Sequence, residues 1–238
     1  MKTHAQFSTV THWTLVSHAG DPNHPRARKA LEELLQLYLD PIYAFIRRSG
    51  HSRHEAEDLV QGFFLDALEH RTLARAKENK GRFRTFLITC LKQFLTDEYR
   101  RNTAAKRGGK EKPVSFDGMT AEERYAAEPV DNLTPDMLLT RKMTLQMIES
   151  IVQELRAEFA AEGRAALFDA LYAHVSGDDS AEAYQVLSAR LGLSISDLKT
   201  KTHRLRKRFK ALYLDRVGEL CDDDDDAKAE AIALEDSL

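Results

Sequence analysis

The sequence is poor in the features that mark secreted, fibrous or membrane proteins. Its 238 residues include 2 cysteines, too few for a disulfide framework or a four-thiolate zinc site. The 11 glycines and 6 prolines, beside a hydrophobic fraction of 42%, exclude a collagen-like or wholly disordered chain. No apolar run reaches the ~18 residues of a membrane helix, and no apolar signal core follows Met1. We therefore expect a cytoplasmic protein that makes no membrane contact.

Charge is distributed in blocks, although the net charge is only −3. Residues 82–112 contain nine Lys or Arg and three acids, and residues 199–210 contain seven bases and no acid. Acids dominate residues 117–162 and 215–238. Two separate basic blocks predict two contacts with a polyanion.

Hydrophobic periodicity predicts helices along almost the whole chain and no strands. Apolar residues recur at three- and four-residue spacing in residues 31–46, 56–68 and 83–95. Ser52 and Glu55 have the spacing of a capping box, which predicts a helix start there. Pro41, inside the preceding pattern, can kink that helix.

Residues 112–135 have no sustained apolar period and contain four Gly or Pro, which predicts a flexible linker. Thr134, followed by a proline, predicts the N-cap of the next helix. The expected architecture is all-α, with two helical domains joined by the linker. In order, we predict a leader (1–25), a first helical domain (26–111), the linker (112–135), a second helical domain (136–214) and an acidic tail (215–238).

The second domain contains a helix-turn-helix pattern. Gly192 supplies the positive φ of a tight turn, and Ser194 with Asp197 predicts the cap of the following helix. That helix carries the acid-free basic run, and in a helix-turn-helix the second helix enters the major groove of DNA. The predicted apolar seam between the two helices consists of Val186, Leu187, Leu191, Leu193, Leu198 and Leu205.

The first domain carries three further motifs. Residues 43–48 read Tyr-Ala-Phe-Ile-Arg-Arg, residues 58–64 read Asp-Leu-Val-Gln-Gly-Phe-Phe, and residues 81–101 begin Gly-Arg-Phe-Arg and end Asp-Glu-Tyr-Arg-Arg. This order resembles region 2 of the extracytoplasmic-function sigma factors, the small promoter-specificity subunits of bacterial RNA polymerase within the sigma-70 family. The C-terminal helix pair resembles region 4 of the same family, and residues 11–16 resemble the leader of one of its subgroups.

The resemblance implies a protein that binds core RNA polymerase, recognises the −35 and −10 promoter elements and helps to open DNA, without covalent chemistry of its own. An anti-sigma factor or another regulator is a further partner that it implies. The residues that match the polymerase-binding helix of region 2 are Asp58, Leu59, Gln61, Phe64 and Leu65, while Phe63 is expected in the core.

The same resemblance implies two sets of DNA-binding residues. Unstacked bases can stack on aromatic side chains, which stabilises each base by ~1–3 kcal/mol. Phe86 falls where relatives often carry a stacking Trp. The alternative role for Phe86 is a position in the hydrophobic core. Lys and Arg bind guanine edges and phosphates. The −10 set is Arg82, Phe86, Lys92, Gln93, Arg100 and Arg101. The −35 set is Ser196, Lys199, Thr200, His203, Arg204, Arg206 and Lys207.

The residues also bear on two other functional classes, enzymes and conventional DNA-binding regulators. His51 and His54 do not have the His-Glu-x-x-His order of a zinc hydrolase, and neither a phosphate-binding glycine loop nor a nucleophile elbow is present. We therefore expect no catalytic residues, no cofactor and no metal. The other alternative is a conventional helix-turn-helix regulator that acts without core polymerase.

The acidic tail carries a hypothesis of its own. Residues 222–226 are five consecutive aspartates just beyond the basic helix. They can fold back and compete with DNA phosphates for the cations of residues 199–210, in which case removal of the tail should raise DNA affinity at low salt and steepen its salt dependence. The alternative is a solubilising extension. Residues 227–234 form a weaker helical pattern that could dock a partner.

Overall fold

The computed structural model describes residues 12–21, 23–69, 82–104, 118–126, 133–178, 181–221 and 224–238. Those ranges contain ten α-helices and no strand, which confirms the all-α prediction. None of the described helices is both long enough and apolar enough to cross a membrane. In chain order the helices are α1 (His12–Ala19), α2 (Ala27–Arg48), α3 (Arg53–Glu69), α4 (Phe83–Ala104), α5 (Gly118–Ala126), α6 (Pro135–Ala161), α7 (Ala165–Ser176), α8 (Tyr184–Leu191), α9 (Ile195–Gly218) and α10 (Asp224–Glu235).

The chain forms two compact units. The larger unit comprises residues 1–145 and 218–238, and the smaller unit comprises residues 146–217. The larger unit thus includes the start of α6 and all of α10, which the sequence interpretation assigned to the second domain and to a separate tail. The larger unit also takes in the residues predicted as the leader and the linker. The predicted functional boundaries stay a prediction.

Helix α2 is central to the larger unit, because it packs against α1, α3 and α5. It runs through Pro41 and buries Ile42 and Ile46 completely. Helix α3 packs against α4, where the rings of Phe63 and Phe94 meet edge to face with centroids 5.6 Å apart. This core holds α3 and α4 side by side and leaves the outer face of each exposed.

The predicted helix starts are confirmed. The Ser52 amide donates to Glu55 Oε2 at 2.8 Å, and the Glu55 amide donates to Ser52 Oγ at 3.4 Å, so a capping box begins α3. These hydrogen bonds lower the pKa of Glu55. At the start of α6, the Met137 amide donates to Thr134 Oγ1 at 3.3 Å.

Helix α5 lies inside the predicted linker and is anchored to α2 by polar contacts. Glu122 accepts hydrogen bonds from Nε and Nη2 of Arg47, both at 2.9 Å, and from the Tyr43 hydroxyl at 2.5 Å. The Arg47 guanidinium also lies 5.0 Å from the centroid of the Tyr125 ring. Arg124 of α5 also pairs with Asp40 of α2 at 2.7 Å. Because ion pairs make much of the anchor, no apolar periodicity marked this helix in the sequence.

The C-terminal helix α10 belongs to the larger unit. It buries Glu230 and Leu234 completely, and the Glu230 carboxylate pairs with Arg84 of α4 at 2.7 Å. Ser237, just after α10, hydrogen-bonds to Thr144 of α6 at 3.2 Å. The predicted helix in residues 227–234 is therefore present. Asp226, one of the five aspartates, pairs with Arg82 and not with the cations of residues 199–210. Of the five aspartates, residues 222 and 223 lie outside the described ranges.

The smaller unit is built around an apolar core of its own. Phe168 and Leu171 of α7 are 1% and 0% exposed, and the Phe168 ring lies 5.5 Å from that of Phe159 in α6. Leu187, Leu198 and Leu205 of the predicted seam are buried between α8 and α9. Val186 is 51% exposed, contrary to prediction, because it lies one residue before the buried Leu187 and so faces outward.

Replacing Glu122 tests the anchor of α5. We expect Glu122→Gln to lower the free energy of unfolding by about 1–2 kcal/mol near pH 7, because Arg47 and Tyr43 lose a charged acceptor in a mostly buried site. The hydrogen bond from Arg47 holds the pKa of Glu122 below its usual value. Stability from such a group is present above the unfolded-state pKa and is lost as pH falls through the folded-state pKa. The difference between wild type and variant should therefore shrink below about pH 4.

Urea denaturation at several pH values measures this difference. Glu123→Gln removes a neighbouring exposed carboxylate from the same helix and should have little effect. Equal losses in the two variants, or a difference that persists unchanged in acid, would contradict the role assigned to Glu122.

Candidate nucleic-acid interface

Helix α4 has one face in the core and one face exposed. Phe83, Leu91 and Phe94 are 2%, 0% and 4% exposed and pack inward. Residues spaced by three, four or seven positions share one side of a helix. Of the predicted −10 residues, Phe86, Gln93 and Arg100 have this spacing, with Arg82 just before the helix and Lys92 beside them, and they lie away from those three. Arg101 is seven residues after Phe94 and lies on the side toward α3, where it is 3.8 Å from Asp66.

Three cations on α4 already have carboxylate partners. Their side chains are 57–76% exposed, so each pair contributes only about 0–1 kcal/mol. Exposed pairs of this strength can exchange the carboxylate for a phosphate. The pairs are Lys92 with Asp136 at 2.6 Å, Arg100 with Asp97 at 3.6 Å and Arg101 with Glu98 at 2.9 Å.

Phe86 lies at the boundary between the core and the exposed face of α4. Its side chain is half-buried and its ring centroid is 6.2 Å from that of Phe83. It lines an apolar pocket together with Leu34, Leu87 and Cys90. The ring therefore borders the core while staying next to Arg82, so the stacking role and the core role both stay predictions.

The predicted polymerase-binding residues on α3 separate into two groups. Asp58 and Leu65 are exposed, Leu65 by 45%, while Leu59 and Gln61 are half-buried. Phe64 is only 8% exposed and lies in the core beside Phe63, so it does not belong to the outer face. The apolar periodicity of α3 agrees with this buried position, whereas the family resemblance alone assigned Phe64 to polymerase binding, and that role stays a prediction.

All seven predicted −35 residues are exposed on α9. Leu198, Thr202 and Leu205 are buried on the opposite side of this helix. In the described ranges, no carboxylate lies within ion-pair distance of the basic residues in positions 199–207. The exposed residues are Ser196, Lys199, Thr200, His203, Arg204, Arg206 and Lys207.

A tight turn and a cap present the first turns of α9. Gly192 ends α8 at φ +65°, a left-handed conformation that residues with a Cβ rarely adopt. The Asp197 amide donates to Ser194 Oγ at 3.0 Å, and Ser194 Oγ donates to Asp197 Oδ2 at 2.7 Å. The Ser188 hydroxyl donates to the Leu193 carbonyl at 2.7 Å, which joins α8 to the turn. The predicted turn and cap are therefore confirmed.

Tyr184 of α8 contacts one side of α9 through both its hydroxyl and its ring. Its hydroxyl donates to Thr202 Oγ1 at 3.2 Å, and its ring stacks on His174 with centroids 4.1 Å apart. The Lys199 ammonium lies 6.0 Å from the centre of the same ring. Arg206 donates to the His174 carbonyl at 3.0 Å. Two of the predicted DNA-binding cations are thus oriented by neighbouring groups within the smaller unit.

The sequence reasoning missed Arg84 and Glu230. Arg84 donates to Glu230 Oε1 from Nε at 2.7 Å and to Oε2 from Nη2 at 2.9 Å. The signal was present as Asp226, Glu230 and Leu234 at four-residue spacing, which puts two acids and one apolar residue on one side of a helix.

Two further kinds of site, a metal site and a reactive thiol, can be examined among the described residues. No group of three His, Cys, Asp or Glu side chains there is arranged to hold a metal ion. Cys90 is buried, and burial raises the pKa of its thiol to about 12, so it is not a reactive thiolate.

Gly192 offers a test of the turn that presents α9. We expect Gly192→Ala to destabilise the smaller unit by about 1–2 kcal/mol, because a Cβ is strained at positive φ. Gly218→Ala is the matched control, since Gly218 has no positive φ and its Cβ would meet nothing within 4 Å. Hydrogen exchange of α8 and α9 measures the effect, and equal protection in both variants would contradict the requirement for glycine at the turn.

Comparison with known protein families identifies the first part of the chain. Residues 34–105 match the model of Sigma-70 region 2, and this match covers α3, α4 and most of α2. Comparison with curated proteins gave no match, and comparison with solved structures gave none. The matched residues include the α3 and α4 faces described above. The chain therefore carries region 2 of the sigma-70 family, whose sigma factors direct RNA polymerase in transcription initiation.

Proposed function

We propose that this protein is an extracytoplasmic-function sigma factor that acts in the cytoplasm, binds core RNA polymerase, recognises −10 and −35 promoter elements and promotes DNA opening. The match of residues 34–105 to sigma-70 region 2 supports the family role. The observation that supports the finer proposal is a second exposed basic face, the acid-free run at residues 199–210 of α9.

The α4 face fits a role in holding the opened −10 element. Separated strands need cations for their phosphates and rings for their unstacked bases. Arg82, Lys92, Arg100 and Arg101 supply cations along one helix, and Phe86 supplies a ring at its border with the core. Gln93 is exposed between them and has both a donor and an acceptor for a base edge.

The α9 face fits recognition of duplex DNA at the −35 element. Its first two turns combine short polar side chains with long basic ones, and the flanking arginine and lysine can bind phosphates. No carboxylate among the described residues competes for the cations at 199–207, so their charge is available to DNA.

The outer face of α3 fits polymerase binding. Asp58 and Leu65 give it one charged and one apolar exposed contact, with Leu59 and Gln61 beside them. A mixed helical face of this kind suits docking of a helix against a partner helix or groove. An anti-sigma factor or another regulator could act by covering the same faces.

Lys199→Ala and Asp58→Ala should separate the two activities. We expect Lys199→Ala to weaken −35 recognition by roughly 5- to 100-fold, as the loss of one base contact predicts, without changing affinity for core polymerase. Asp58→Ala should weaken polymerase binding without changing which promoters are selected. Transcription in vitro with core polymerase on a promoter library, together with direct titration of core polymerase, measures both properties.

Two exposed residues on the same helices provide controls. Lys210→Ala removes a positive charge later in α9, and His54→Ala changes the first turn of α3. Equal promoter and polymerase affinities in the Lys199 and Asp58 variants would contradict the assigned roles. Tight binding to duplex DNA without any polymerase dependence would instead favour a conventional helix-turn-helix regulator.

A further inference from the structure

The N-terminal end of α4 is covered by the chain's own C-terminal segment. The Phe83 amide, one of the amides that a helix start leaves without an intrahelical partner, donates to the Leu220 carbonyl at 2.9 Å. Beyond Leu220, α10 places Asp226 and Glu230 against Arg82 and Arg84. The last residues of the chain thus lie on the helix that carries the proposed −10 face.

The two ion pairs differ in burial. Glu230 is 0% exposed and binds Arg84, itself 18% exposed, through both carboxylate oxygens. Arg82 and Asp226 are 31% and 36% exposed, and their nearest atoms are 3.3 Å apart, while Arg82 Nε also lies 3.8 Å from Glu230 Oε2. A buried bidentate pair costs much to open, because each charge would be left without its partner. The partly exposed Asp226–Arg82 pair is weaker than the buried pair and exchanges more readily.

Apolar packing supports the buried pair. Leu220, Ala231 and Leu234 are 1%, 6% and 0% exposed in the larger unit. The Glu230–Arg84 pair together with this packing holds α10 in place, while the Asp226–Arg82 pair lies at its accessible margin.

From this arrangement we infer that α10 is a built-in competitor for nucleic-acid phosphate at Arg82, anchored by Glu230 and acting through Asp226. The inference rests on the proposed function only in taking Arg82 as a DNA contact. The Asp226 carboxylate is the chemical analogue of a backbone phosphate at that guanidinium. DNA must therefore displace it, so each molecule of this chain binds opened DNA more weakly than its count of cations suggests.

Asp226→Asn tests the competition while keeping the anchor. The variant should bind single-stranded DNA about two- to fivefold more tightly at low salt, the gain expected from releasing one exposed pair. The slope of log affinity against log salt should steepen by about 0.7, because one more cation becomes available to a single-strand phosphate. The probe is a fluorescent 20-nucleotide oligothymidine, titrated with the full-length chain and, separately, with holoenzyme.

Asp225→Asn is the matched control. It removes the same charge from the adjacent position, but Asp225 is 96% exposed and pairs with Lys228 of its own helix. Its affinity should stay within the error of wild type. Equal tightening in the two aspartate variants would overturn the inference, because bulk charge would then explain the gain.

Arg82→Ala separates failure of the inference from failure of the proposed function. If Arg82→Ala weakens binding and Asp226→Asn leaves it unchanged, the competition is wrong and the DNA role of Arg82 stands. If Arg82→Ala itself has no effect, the proposed contact fails and the inference fails with it. The double variant should bind like Arg82→Ala alone, since the gain requires Arg82.

Glu230→Gln tests the anchor by a second measurement. Loss of the buried charge should increase hydrogen exchange in α10 and tighten oligothymidine binding at least as much as Asp226→Asn. Faster exchange in α10 without any gain in affinity would overturn the inference, because release of the helix would then leave the DNA site unchanged.

Discussion

The larger unit depends on the ion pair between Glu230 and Arg84, because its core cannot accommodate the Glu230 carboxylate without a cation. Glu230 has no exposure, and an isolated carboxylate in such a site would be strongly unfavourable. Arg84 satisfies both of its oxygens and also contacts Thr140 of α6 at 3.4 Å. Three helices, α4, α6 and α10, therefore meet at one guanidinium. Such a pair contributes less to net stability than to fixing which helices meet, because its desolvation cost offsets much of its attraction.

Helices α4 and α9 meet the same physical requirement in different ways. Each needs an apolar side for its core and a cationic side for a polyanion, and each keeps the two apart by helical spacing. In α4 most of the described cations have carboxylate partners, among them Asp97 and Glu98 of the helix itself. In α9 the cations at 199–207 face outward without acidic partners in the described ranges. Before DNA binds, the positive charges of α4 are therefore largely neutralised by carboxylates, whereas, within the described part of the chain, those at 199–207 of α9 are not.

The sequence was most informative where one local interaction determines the structure. The Ser52 and Glu55 pair, the Thr134 cap and the Gly192 turn each depend on a few neighbouring residues, so their spacing predicted helix boundaries correctly. Phe64 is buried as its apolar spacing predicts, although the family resemblance places it among the polymerase-binding residues. Helix α5 and the position of α10 were missed because Arg47 and Arg84, far away along the chain, provide the partners for Glu122 and Glu230. Local spacing can mark the helix face that carries such acids, as it does for Asp226 and Glu230, but it does not identify the distant arginine that pairs with them.

If α4 and α9 both bind DNA as proposed, the two helices contribute differently to the affinity for DNA. At α4, a phosphate replaces a carboxylate, so the number of ion pairs does not increase and the gain in free energy is small. At α9, each phosphate contact is a new pair and releases a counterion, which makes binding strong at low salt and steeply salt-dependent. Nonspecific attraction to duplex DNA should therefore arise mainly from α9. Contacts at α4 then add selectivity through unstacked bases, because its charges are largely neutralised before DNA arrives.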